Sequence, residues 1–242
     1  MKNIITNTSS VTIVLIVLSF FFWIILLYDP MHTLAEHSSH MMGHDMVHHD
    51  FSGLMVGWTL MVLAMMLPKL ISPISHVCEK SLRRKRIPMS VCFVLGYALI
   101  WVLIGFLMNS IMVLLSKQNI GSYTPAVVLG IIAVVWQFSP IKQYFLNLGH
   151  NHRAIKAFGW KANMDAFVFG CEHGLWCLGS GWALMWLPML LPKGHNLAML
   201  LVMFIMISEH MEHPQIPRWG IDLRLKLLRI LKVQTILVFN PN

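Results

Sequence analysis

The chain has 242 residues, 57% of them hydrophobic and 12% charged, with a mean hydropathy of +0.66. That balance excludes an ordinary soluble domain and points to an all-α, polytopic integral membrane protein. The formal charge of +8 would suggest nucleic acid as partner for a soluble protein, but here it follows the loops between apolar runs, so the lipid bilayer is the expected partner and nucleic acid is not.

Residues 11–28, "VTIVLIVLSFFFWIILLY", are long enough as a helix to cross most of a hydrocarbon core of about 30 Å. The run exceeds the apolar part of a usual signal peptide, and "DPMH" follows it where a small-x-small cleavage site would stand, so it reads as a retained anchor. Next comes a loop at 29–50 that holds no Lys or Arg but carries Asp29, Glu36, Asp45 and Asp50. Its segment "HSSHMMGHDMVHHD" spans residues 37–50, and together with His32 it concentrates imidazole and thioether donors. Read as a helix at about 100° per residue, His37, His40, Met41, His44 and His48 share an arc of about 100°. Such spacing can chelate, with His32 and His49 close by. Imidazole suits copper, zinc, nickel and iron, whereas thioether sulfur favours the soft cuprous ion, so the mixture points to copper first, with zinc or another transition metal still open. The alternative is a polar external loop whose histidines bind nothing.

Further spans are expected near 51–71, 89–115, 124–139, 165–191 and 196–209, six in all with the first. The second ends at Pro68 and Lys69, and the fourth, bracketed by Pro125 and Pro140, reads as short or broken. Basic residues gather in the loops 72–88 and 140–164 and in the tail, while the alternate connections carry only Lys117 and Lys193. The asymmetry puts both termini in the cytoplasm and the histidine loop outside a cytoplasmic membrane. The chain is thus one membrane domain, 1–242, with an external His/Met-rich loop at 29–50 and a cytoplasmic tail at 210–242. Within that tail, "LRLKLLRILK" reads as an amphipathic helix lying on the anionic inner leaflet. Cys78, Cys92, Cys171 and Cys177 form no C-x-x-C pair and fall in no external loop, so no disulfide framework is expected.

Two further constellations can hold a metal. In the last span His195, Met199, Met203, Met206, His210 and His213 lie within an arc of about 80° if all are on one helix, with Glu209 beside them. This is either a relay for a soft cation or ordinary methionine packing. In the fifth span "CEHGLWC" places His173 and Cys177 at i and i+4, able to share a ligand, while Glu172 points elsewhere. A charge or bare imidazole there costs several kcal/mol without a partner, unless the span starts later and leaves Glu172 and His173 wet at the interface. On the inner side His76 with Cys78, His150 with His152, and His210 with His213 can converge on an exit site. No nucleophile elbow, phosphate loop, dinucleotide fingerprint or H-E-x-x-H occurs, so no catalytic residue is assigned and an enzyme is not the expected reading.

Several segments carry a resemblance: "GWTLMVLAMMLP" at 57–68, "GYALIW" at 96–101, "WQFSPIKQYFL" at 136–146, and "GLWCLGSGWALM" at 174–185, followed by "HNLAML" and Glu209. Together they resemble a family of predicted metal-binding integral membrane proteins, over roughly residues 51–212. The resemblance implies a helical polytopic fold and a metal-related role. Members commonly show Gly-Cys-Cys-Trp where this chain has Gly179, Ser180, Gly181 and Trp182, and cysteines where it has Phe145 and Gly149. Of the motif residues, His173 and Cys177 carry over, with Glu209 from the last span.

The expected function is therefore binding and handing on of a transition metal, copper foremost, either to the cytoplasm or, the favoured reading, to a neighbouring membrane metalloenzyme. The alternative is a non-catalytic structural or accessory subunit of a membrane oxidase or monooxygenase complex, supported by the small-residue surface of Gly170, Gly174, Gly179 and Gly181.

Overall fold

A computed structural model of the protein describes residues 2–28, 51–116, 123–151, 153–156, 159–191, 194–220, 228–230 and 232–233. Every regular element among these residues is helical. The chain order is α1 (Lys2–Tyr28), α2 (Phe51–Met66), α3 (Ile71–Lys80), α4 (Arg86–Ser116), α5 (Thr124–Gln137), α6 (Pro140–Leu148), α7 (Gly159–Trp186) and α8 (His195–His210), with 3-10 turns at Leu67–Leu70, Arg83–Lys85 and Leu187–Leu190. The elements Gly53–Lys80 and Arg83–Leu114 are long and apolar enough to cross a membrane. The pair Thr124–Gln137 and Pro140–Leu148 makes a third if it is one bent span, and Thr12–Tyr28 and His195–His210 are apolar but shorter. Both the histidine loop and most of the amphipathic tail expected from the sequence lie outside the described residues.

Proline placement explains two departures from the expected spans. The second apolar element does not stop at Lys69 but continues to Lys80. Pro68 sits at the start of the 3-10 turn, where a missing N–H leaves no hydrogen bond unmade, and the Ile71 N–H returns to the Pro68 carbonyl to carry the chain into α3. The weak fourth apolar run ends in a bend of 67° between α5 and α6, the geometry of a broken span or a re-entrant loop. Pro140 biases Ser139 to extended backbone, observed at ψ 145°, and the Ser139 hydroxyl then caps α6 by accepting from the Lys142 N–H at 3.1 Å.

The core forms where α4 runs along α7, the most extensive helix pairing in the molecule. Two glycines permit it: a methyl group on Gly96 would collide with the Phe167 carbonyl, and one on Gly170 with the Phe93 carbonyl. Small residues thus let the two backbones approach. Around this pair α1 and α2 pack together, tied by the Ser19 hydroxyl donating to the Ala64 carbonyl at 2.7 Å, and Trp58 of α2 donates to the Trp101 carbonyl of α4 at 2.8 Å. α6 lies on α7, where the Phe145 ring rests against Gly179. α8 closes the bundle against α2, α7 and the turn Leu187–Leu190.

Candidate functional site

Three elements meet at the Cys177 sulfur. Cys177 is buried on α7, and its Sγ lies 3.8 Å from Met66 Sδ at the end of α2. Tyr97 of α4 donates its hydroxyl to the sulfur at 3.2 Å, and Lys69, three residues after Met66, donates its ammonium at 3.3 Å. Metal–thiolate bonds of about 2.3 Å, the value for zinc, let one ion span two sulfurs up to about 4.6 Å apart. A thiol and a thioether at 3.8 Å therefore suit a single soft ion in a bent bridge, the donor type that selects Cu(I).

The sulfur opens into a pocket with about 200 Å³ of empty space, counting the part open to solvent. Lys69, Leu146, His173, Trp176, Cys177, Ser180 and His210 are among the residues that line it, with Phe145 and Gly149. His173, one helical turn before Cys177, is buried within a ring of Phe93, Tyr97, Phe169 and Trp176 at centroid distances of 6.0 to 6.1 Å. His210, the last residue of α8, faces it edge-on at 6.0 Å and stacks on His150 at 5.5 Å. His150 is oriented by donating from Nδ1 to the Leu146 carbonyl at 2.9 Å. The wall thus offers imidazole nitrogen above a floor of sulfur. Among the described residues, no three His, Cys, Asp or Glu side chains form a ready-made metal cluster. What the site presents is sulfur-based and includes a methionine.

Other residues singled out from the sequence take separate places. Glu209 is 3% exposed and forms an ion pair with Lys142 of α6 at 2.8 Å. Gln137, at the α5–α6 break, donates to the same carboxylate oxygen and accepts from Lys142 Nζ at 2.5 Å. On α8 Met199 and Met206 are buried and Met203 half-buried, with the Met206 methyl group seated against Gly181. His195 starts that helix after Gly194, whose φ of 79° is left-handed, and it donates from Nδ1 to the Pro188 carbonyl at 2.8 Å. The helix ends at His210, so His213 is exposed beyond it and is not in register with the others. Glu172, about one-third exposed, turns away from the pocket to pair with Arg153. His76 meets the Arg153 carbonyl at 3.2 Å and Cys78 meets Ser90 at 3.4 Å, while His152 lies outside the described residues. His32, His37, His40, Met41, His44, His48 and His49 lie outside the described residues.

Sequence reasoning missed Lys69, Met66, Tyr97 and Lys142. Lys69 reads as the basic end of a span and Lys142 as a loop charge, yet both are buried. A signal existed for Lys142: Glu209 in an apolar helix requires a cation from elsewhere in the chain. None existed for Lys69, whose partner is 108 residues away.

No curated protein and no solved structure matches the chain. A family model does match, over residues 55–221, which include α7, α8, Met66 and Lys69 but not the loop 29–50. With that match covering well over half of its length, the chain belongs to the PpoB2 family, described as copper chaperone.

Proposed function

We propose that this chain is a multi-pass protein of the cytoplasmic membrane that binds Cu(I) at Cys177 and passes it to a membrane metalloenzyme. The observation that carries the reading is the sulfur pair of Cys177 and Met66 at 3.8 Å, with Cys177 lining a pocket that His173 and His210 also line. Soft donors in small number hold a cuprous ion without enclosing it, and neighbouring imidazoles give it somewhere to go by ligand exchange. The family supports copper as the cargo. Phe145, Gly149 and Ser180, positions where the resembled family carries cysteine, line the same pocket. A membrane location is supported by the outward apolar row Ile87, Val91, Leu95, Leu99 and Leu103 along α4, a surface that lipid covers and water would not tolerate. In this reading the loop 29–50 faces outward and collects copper, and the buried Met199 and Met206 of α8 lead toward Gly181, next to the pocket residue Ser180.

The test is metal analysis of the full chain purified in detergent under reducing conditions and loaded with Cu(I). Retention of copper by the wild type, its loss in Cys177→Ser, and weakening in Met66→Leu are expected. Equal copper in the wild type and Cys177→Ser would overturn the site. A stoichiometric complex with other membrane subunits and no copper on this chain would favour an accessory subunit instead.

A further inference from the structure

A buried ammonium sits against the Cys177 sulfur on which the copper reading depends. Lys69 is 5% exposed, and among the described residues the acceptor of its ammonium is the Cys177 sulfur at 3.3 Å. Burying an ammonium is costly unless an acceptor answers it. Met66 and Lys69 stand at i and i+3 across the entry to the 3-10 turn Leu67–Leu70, a spacing that brings side chains onto one face. One turn therefore offers the same sulfur two companions: a thioether that a soft metal can share, and a cation that occupies the metal's place. Two positive charges do not share a buried sulfur cheaply, because their repulsion is weakly screened there.

We infer that the Lys69 ammonium is the built-in occupant of the cation position at Cys177, and that an arriving Cu(I) displaces it. This rests on the copper reading of the pocket. Copper binds the thiolate form of a cysteine. In the exchange one Cu–S bond forms to Cys177 as its S–H bond breaks, the Lys69 hydrogen bond is lost, and the ligand that brought the copper leaves with its own electron pair and takes up the thiol proton. Lys69 keeps its proton, and neither metal nor sulfur changes oxidation state. The freed head turns into the adjoining pocket, which Lys69 already lines beside Ser180, His173 and His210, and its long stem permits the move. Loading thereby exposes the amine, and unloading restores its hydrogen bond to the sulfur.

Silver ion serves as the probe, a soft monovalent cation that does no redox chemistry here. Full-length protein in detergent is acylated with an amine-reactive reagent, with and without Ag(I), and Lys69 modification is read by peptide mass spectrometry. Lys69 is expected to be protected without silver and modified several-fold faster with it. In Lys69→Leu, where nothing needs displacing and no new ligand is added, Ag(I) affinity is expected to rise about tenfold or more. If that variant fails to fold, the acylation of the wild type still decides. Silver bound in a Cys177-dependent way with Lys69 modification unchanged would overturn the displacement and leave the copper reading standing. No silver bound to the wild type would overturn both.

Discussion

The buried pair Lys142–Glu209 gives the sharpest test of how this fold is held together. Its charges are 2.8 Å apart with side chains 1% and 3% exposed, which at an effective dielectric of 20 is an attraction of roughly 6 kcal/mol. Desolvation of two ions offsets most of that, so the pair as a whole contributes little, but removing one partner strands the other. Lys142→Met leaves a buried carboxylate with Gln137 as its remaining hydrogen-bond donor in the network described above, and is expected to cost about 3–5 kcal/mol. For a chain of this length that lowers the melting temperature by roughly 6–20 °C. The double variant Lys142→Met/Glu209→Gln, which removes both charges while conserving volume, is expected to lie within about 2 kcal/mol of the wild type. Thermal unfolding of the four proteins in one detergent measures the cycle. A double variant that falls by the sum of the two single losses would refute the reasoning, because the charges would then act independently. Bound Cu(I) in Glu209→Gln tells whether the carboxylate also serves the metal: full retention is expected if its work is to neutralise Lys142.

Other expectations follow from the close contacts. Gly170→Ala drives a methyl group into the Phe93 backbone, which cannot turn aside, whereas Gly181→Ala meets only the flexible end of Met206. The first is expected to lose about 1–3 kcal/mol and the second less than about 1 kcal/mol in the same melting assay, with equal losses counting against the α4–α7 contact. Trp58→Phe removes the indole donor to the Trp101 carbonyl, which keeps its partner within α4, and is expected to cost about 0.5–1.5 kcal/mol for the lost hydrogen bond. An unchanged melting temperature would mean that this hydrogen bond does not form.

The sequence by itself determined the helical class, the end of the fourth apolar run before Pro140 and the placing of His173 and Cys177 on one helix face. Each of these is a local matter. Long apolar runs leave a helix as the economical way to satisfy backbone groups. Pro140 ends one helix by its own covalent structure, and an i, i+4 spacing fixes two side chains on one face. Tertiary structure alone decided which distant partners those side chains meet. Met66, Lys69 and Tyr97 come to Cys177 from 80 to 111 residues away, and Tyr97 reaches it because Gly96 and Gly170 let α4 lie close against α7. Glu209, one of seven potential donors gathered between residues 195 and 213, was drawn instead to a buried lysine. A charge in an apolar core takes the nearest opposite charge, and nearness across a bundle is set by helix packing, which no local spacing encodes.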